Sequence, residues 1–252
     1  MTKKEERHKT ILHEVEIHNR LLLGDLAHIL KVSTDTVRRD IKELDEAGKL
    51  KKVHGGAISN GFQLIGNGRS KQNVYAYESK LAIAGKAIKL IEQNSVVLMS
   101  GGTTNIELAK QLPAKLNATV FTPSLPIAVE LLAHPGLEVI LIGGRLSHDA
   151  QIAIGGQALN TLFDIKVDIC FLGTGYLDHR HGLTEFDWDV VQIKKAMIGA
   201  SRQVISLNIS EKLNSVQRYK ICDIQSINTL ITELDPDAEV LKPYRRQRIK
   251  IL

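Results

Sequence analysis

From Glu78 onward short apolar runs alternate with amphipathic stretches, and no other feature restricts the fold of this chain so strongly. Apolar runs at 95–99, 119–122, 138–142, 168–172, 204–207 and 229–232 are predicted as strands. Helical periodicity at 79–91, 105–112, 127–133, 157–163 and 187–201 predicts helices between or beside them. Strands this short and this uniformly apolar are buried on both faces. The predicted class is therefore α/β, a mostly parallel sheet with helices on each side.

The start of the chain follows another rule. Ser33 can N-cap a helix, because its hydroxyl accepts a backbone N–H that the first turn leaves unpaired. Val37, Ile41 and Leu44 then recur at helical spacing as a buried stripe. Before it, a first helix is predicted over 4–18, with Ile11, Leu12 and Val15 inward, and a second is marked by Leu22, Leu26, Ile29 and Leu30. Ala27 permits the close approach of two helices, and Lys31-Val32-Ser33 forms the turn between them. Gly48 ends the third helix, 50–53 reads as a strand with its lysines outward, and His54-Gly55-Gly56 as the turn of a wing. The predicted unit is a winged helix-turn-helix over 1–57. Glycine, asparagine and serine then dominate, with Asn60, Gly61, Gly66, Asn67, Gly68 and Ser70 marking a linker over 58–76. Residues 77–252 form the expected effector-binding and oligomerisation domain.

The whole sequence of 252 residues suffices for two domains, and its 43% hydrophobic and 24% charged content is that of ordinary globular proteins. No apolar run reaches membrane-spanning length, and the first residues lack the apolar core of a secretory signal. A cytoplasmic protein without a membrane partner is expected. Cys170 and Cys222 stand in no metal-binding spacing and are expected as buried, reduced thiols.

A net charge of +5 permits a polyanionic partner without demanding one. Its distribution says more. Cations gather at Arg38–Lys42 and Lys49–Lys52, while a third group, Arg245, Arg246, Arg248 and Lys250, reads as a solvated face. Ser33, Thr34, Thr36, Arg38, Arg39 and Lys42 fall outside the apolar stripe of the third helix. A short helix with hydroxyls and guanidiniums on its front suits a DNA major groove, where arginine can fork onto guanine or phosphate. Asp35 stands four residues before Arg39 and is expected to orient it. Lys49, Lys51, Lys52 and the wing residue His54 are the expected backbone contacts, which fix position rather than sequence. The plainer alternative for all of these is a solvated basic face.

A second candidate site lies at Ser100, Gly101, Gly102, Thr103 and Thr104, between a predicted strand and a predicted helix. Two glycines let backbone N–H groups approach an anion, the threonines add hydroxyls, and the helix N-terminus adds partial positive charge. The turn is not a P-loop, since no Gly-Lys-Ser/Thr follows, and no dinucleotide fingerprint opens a helix here. Lys80, Arg145, Lys194 and Lys212 are cations able to complete an anion pocket, or simply surface residues. His148, Asp149, His179 and His181 lack the order of a metal site and read as exposed loop residues, so no metal or cofactor is expected. Trp188 reads as a packing residue at a helix start, with a lid over a ligand as the alternative.

Together these segments resemble the DeoR family of bacterial transcriptional regulators. The DNA-binding signature stands at Val32-Ser33, Thr36-Val37-Arg38-Arg39-Asp40-Ile41 and Leu44, and the wing signature at His54-Gly55-Gly56-Ala57. In the second half the matches are Gly102-Thr103-Thr104, Gly143-Gly144, Leu172-Gly173-Thr174-Gly175, Gly182-Leu183-Thr184 and Lys194-Lys195-Ala196-Met197. Ser100 and Gly101 depart from the family pattern, as do Val190, Gln192 and the stretch Asn208-Ile209-Ser210-Glu211-Lys212, which carries an apparent extra residue. The resemblance implies a fold shared with ribose-5-phosphate isomerase and glucosamine-6-phosphate deaminase. It also implies repression of sugar-catabolism genes, relieved by a phosphorylated sugar or related metabolite. It places Gly173, Lys194 and Lys212 in the effector site, because these fall at family motif positions.

An isomerase or deaminase with a DNA-binding appendage is the competing expectation. Such chemistry needs a positioned general base, and near Gly173-Thr174-Gly175-Tyr176 only Asp178 and Glu185 are available. They do not form the expected carboxylate pair, so catalysis is expected to be absent. Activation of transcription in place of repression uses the same residues. A single winged helix offers little contact for specific binding to duplex DNA, so a homodimer or homotetramer is expected.

Overall fold

The computed structural model describes residues 2–60 and 74–252, and the chain divides into two units, Met1–Tyr75 and Ala76–Leu252. Most of the linker expected over 58–76 lies outside the described residues, with all of its marker residues but Asn60, whose Nδ2 donates to the Gly48 carbonyl at 2.6 Å.

In the first unit, helix α1 (Lys3–His18) leads into strand β1 (Arg20–Leu22), α2 (Leu23–Leu30), α3 (Thr34–Glu46), β2 (Lys51–Val53) and β3 (Gly56–Ile58). β3 lies between β1 and β2 and is antiparallel to both. Strand β1 was not expected. Leu22 belongs to it and not to the second helix, while Ile29, predicted inward, is 42% exposed. The core is Ile11, Val15, Leu21, Leu26, Val37, Ile41, Leu44, Leu50 and Ala57. Ala47 caps α3, and Gly48 follows at φ 66°, the left-handed conformation that ends helices without steric cost to glycine. Lys51 is half-buried, so only Lys52 of the strand's two lysines points fully outward.

The second unit begins with α4 (Tyr77–Ile88), β4 (Val96–Met99), α5 (Thr103–Lys110), β5 (Ala118–Thr122), α6 (Leu125–Leu131) and β6 (Leu137–Leu141). A short hairpin, β7 (Arg145–Leu146) and β8 (Ala153–Ile154), precedes α7 (Gly156–Asp164) and β9 (Val167–Gly173). Then come β10 (Tyr176–Asp178), β11 (Gly182–Glu185), α8 (Trp188–Gly199), β12 (Ser201–Leu207), β13 (Tyr219–Cys222), β14 (Thr229–Ile231), α9 (Lys242–Arg245) and β15 (Lys250–Ile251).

Seven strands form one sheet in the order β15-β14-β12-β9-β4-β5-β6, and every neighbouring pair is parallel. β10, β11 and β13 make a separate antiparallel sheet, and none of these three strands was expected from the sequence. Strand order decides where a site can lie. From β4 the chain winds outward through β5 and β6, then returns to β9 on the other side of β4 and winds away through β12. The carboxyl ends of β4 and β9 thus flank the point where the winding reverses, the crevice where open α/β sheets bind ligands.

Candidate functional site

The candidate recognition surface of the first unit is the outer face of α3. Ser33 caps it as predicted, its hydroxyl accepting from the Thr36 amide at 3.2 Å and lying 2.9 Å from the Thr36 hydroxyl. Val37, Ile41 and Leu44 are buried, while Ser33, Thr34, Arg38, Arg39, Lys42, Lys52 and His54 are exposed and Thr36 is half-buried. Asp35 does not orient Arg39. It pairs with Arg38 three residues on, because the i+3 neighbour is within reach of its short side chain. Arg39 makes no ion pair among the described residues, and its guanidinium stands in solvent. Lys42 faces Glu46 at 3.6 Å, with both side chains more than half exposed, a pair solvent screens readily.

One residue of this helix breaks the pattern. Asp40 is 2% exposed, in the inner stripe between Val37 and Ile41. Arg7 and His8 of α1 meet its carboxylate. Burial pushes the Asp40 carboxyl up, but hydrogen bonding and charge from Arg7, aided by His8, more than reverse that and hold it below its ordinary range.

In the second unit Ser100–Thr104 sits at the carboxyl end of β4, at the reversal of winding. Gly102 opens α5 at φ 117°, and no side chain caps that helix. Ser100 is buried and its hydroxyl is spent within the loop. It accepts from the Gly173 amide at 2.8 Å and from Asn105 Nδ2 at 3.1 Å, and donates to the Gly101 carbonyl at 3.2 Å. Asn105 also donates to the Ser100 carbonyl at 2.9 Å, while its buried Oδ1 has no hydrogen-bond partner among the described residues. Ser100 and Gly173, expected beside a ligand, therefore clamp the ends of β4 and β9 together. Gly101, Gly102, Thr103 and Thr104 remain as the amides and hydroxyls of the turn.

Three lysines converge near these strand ends. Lys80 on α4, Lys194 on α8 and Lys212 after β12 are 2%, 7% and 7% exposed. Lys212 Nζ donates to the Thr174 carbonyl at 3.3 Å, and the Thr174 hydroxyl donates to Asn208 Oδ1 at 2.8 Å. Burial pushes the Lys212 amine down to about 7, the positive charges of Lys80 and Lys194 add to the effect, and Glu185 opposes it. Lys194 Nζ lies 2.9 Å from Glu185 Oε2, with both side chains about nine-tenths buried. Lys80 thus joins Lys194 and Lys212, whereas Arg145 is exposed and pairs with Asp189 at 2.7 Å. At Lys212 two positive neighbours are set against one carboxylate, Glu185.

Other expectations need correction. His179 is not an exposed loop residue: its ring packs edge-on against Tyr244 at 5.7 Å. His148 and His181 are exposed as expected, and Asp149 is half-buried. Trp188 does not pack in the core. It is 56% exposed and meets Tyr219 edge-on at 5.4 Å, because it opens α8 on the face away from Val190, Ile193 and Met197. Cys170 is buried, but Cys222 is only half-buried. Arg245 is not wholly solvated, since its guanidinium donates to the carbonyls of Pro236 and Ala238.

Glu185 and Asp40 were missed as partners of lysine and arginine. Asp40 left a signal, a carboxylate at a stripe position. Glu185 left none, since only the packing of β11 against α8 brings it to Lys194.

The chain matches the model of the DeoR-like helix-turn-helix domain over residues 7–62 and that of the DeoR C terminal sensor domain over residues 75–234. It is 29% identical to the HTH-type transcriptional regulator GolR of Listeria innocua, covering 95% of this chain and 94% of that one. It is 30% identical to the HTH-type transcriptional repressor GlcR of Bacillus subtilis, covering 98% and 95%. Ribose 5-phosphate isomerase A of Methanocaldococcus jannaschii aligns in structure over 57% of this chain and 55% of its own, at 16% identity and a TM-score of 0.40. By both domain models and by its full-length relatives, the chain belongs to the DeoR family of HTH-type transcriptional regulators.

Proposed function

We propose that this regulator is a repressor of carbohydrate-catabolism genes that releases its operator when a phosphorylated sugar or related metabolite fills the sensor domain. The observation that carries the proposal is the buried group Lys80, Lys194 and Lys212 near the strand ends where Gly101–Thr104 offers backbone amides. A phosphate monoester supplies the negative charge that group needs, and α5 adds the partial positive charge of its N-terminus. Ser33, Thr34, Thr36, Arg38, Arg39 and Lys42 face the major groove, while Lys51, Lys52 and His54 contact phosphates. Two or four copies, working in the cytoplasm, place these heads on paired half-sites. Effector changes their spacing by favouring the non-binding state, for which a few kcal/mol are enough.

The domain is proposed to bind without turning over its ligand. Asp178 accepts from the Arg180 and His181 amides at 2.8 and 2.9 Å and from the His181 ring, and Glu185 is held by Lys194. Asp178 is engaged by three donors, which argues against a free general base. The test is an electrophoretic mobility shift on DNA from upstream of the gene and its neighbours, titrated with sugar phosphates that raise the protein's melting temperature. Release by one of them is expected. A DNA complex indifferent to every ligand that shifts the melting point overturns the proposal, and turnover of ribose 5-phosphate lost with Asp178→Asn reinstates the enzyme.

A further inference from the structure

Glu185 occupies a place where an effector anion would be expected to sit. Its Oε2 is 2.9 Å from Lys194 Nζ, and it is the carboxylate that offsets the repulsion of Lys212 by its two neighbouring lysines. The other oxygen, Oε1, accepts from the Phe186 amide at 3.0 Å, immediately before α8 begins. One carboxylate therefore ties three things together: the end of β11, the start of the segment leading into α8, and the buried positive charge.

Resting on the anion-site reading above, we propose that Glu185 is a resident counter-ion, displaced from Lys194 when a phosphate monoester binds. A dianionic phosphoryl group meets Lys194 and Lys212 more fully than one carboxylate can. With a phosphate present, a carboxylate left among those oxygens is a like charge in a poorly screened place and is repelled. Its exit frees the Phe186 amide and the β11–α8 connection, after which Trp188 opens α8, exposed beside Tyr219. Glu185 thereby sets which anions are admitted. Only ligands whose charge exceeds its own repay its displacement, so phosphate monoesters are taken and singly charged sugar acids are refused.

The test uses the full chain, calorimetric titration with inorganic phosphate and with ribose 5-phosphate and glucosamine 6-phosphate, and three proteins. Wild type is expected to bind at least one phosphorylated probe, and Lys212→Met to lose it; binding absent from wild type, or unaffected by Lys212→Met, sinks the anion-site reading itself. With that reading standing, Glu185→Gln separates the roles. Removing a competing charge raises affinity, by about tenfold, and admits gluconate, whereas removing a ligand contact or loosening the fold lowers affinity. Unchanged or weaker binding by Glu185→Gln overturns the counter-ion role. Should that variant fail to fold, a crystal structure of wild type with bound phosphate decides: Lys194 Nζ on a phosphate oxygen with Glu185 withdrawn is expected, and an intact Lys194–Glu185 pair beside the phosphate refutes it.

Discussion

Arg7 and Asp40 join α1 to α3 through two parallel hydrogen bonds, Nε to Oδ2 at 2.8 Å and a guanidinium nitrogen to Oδ1 at 3.1 Å. The fork fixes direction as well as distance, because both groups are planar. It holds α3 from behind, so that Arg38 and Arg39, immediately before Asp40, face outward. His8 adds a third interaction with Oδ1 at 3.2 Å.

Asp40→Ala should lower the unfolding midpoint of the N-terminal unit by several degrees and weaken DNA binding, although the residue touches no DNA. Circular dichroism of the variant, with mobility shifts at a temperature where it stays folded, separates the two effects. The pH dependence has a definite sign. Because the folded carboxyl lies below its ordinary 3.8, its contribution is complete above that pH and is lost as pH falls through the lower folded value. Acid titration of wild type against Asp40→Asn should therefore diverge least at low pH.

Arg38→Ala should abolish specific binding while leaving the melting curve unchanged, since Arg38 is exposed and Asp35, its one ion-pair partner among the described residues, is exposed too. A bidentate contact to a base is worth about 1–3 kcal/mol of discrimination. Lys52→Ala should weaken all sequences alike and reduce the salt slope by about 0.9 for each phosphate that is no longer neutralised. Equal affinity of Arg38→Ala and wild type for the operator would remove α3 from the interface.

These positions were legible because helical periodicity assigns every residue of α1 and α3 to a face. Arg7 and Asp40 were missed, although Arg7 precedes Ile11 by one helical step of four and Asp40 falls between Val37 and Ile41, on the inner stripes. The parallel sheet was legible for a similar reason: β4, β5, β6, β9, β12 and β14 are apolar runs with helices between them. β15 was not, being only two residues long, Lys250–Ile251, and paired only to β14. β10 and β11 were hidden because Asp178, His179, Arg180 and His181 read as a loop. Yet Gly182 at φ 76°, where a Cβ would meet the Cys222 carbonyl at 2.1 Å, turns them into a hairpin. Burial of Lys80, Lys194 and Lys212 could not be read at all. They come from three distant segments, and lysine in a sequence is by default a surface residue.

Gly173→Ala should damage the anion site more than the fold. A Cβ there would lie 2.7 Å from the Gly101 carbonyl oxygen and 3.3 Å from Asn105 Nδ2, so the Ser100–Gly102 turn must shift. Overpacking of this kind costs about 1–3 kcal/mol. The expected result is a modestly lowered melting temperature together with loss of the further rise that sugar phosphate gives to wild type. A variant that keeps the full ligand-induced rise would separate the turn from the site.

Lys212 offers the sharpest pH test. Its folded amine, pushed down to about 7, lies far below the ordinary 10.5, so between these values the unfolded chain binds more protons than the folded one. Stability from this group therefore rises with pH from about 7 toward 10.5, and below 7 the folded protein must carry a buried ammonium. Lys212→Met removes that burden. It should raise the melting temperature of the ligand-free protein more at pH 6 than at pH 9, while ending the response to phosphate. For wild type, phosphate affinity should fall as pH rises above about 7, because the site then loses a positive charge, and binding near neutrality should take up a proton. Calorimetry in two buffers of different ionisation enthalpy measures that uptake directly. An identical heat in both, with affinity flat from pH 6 to 9, would mean that Lys212 does not titrate with the ligand.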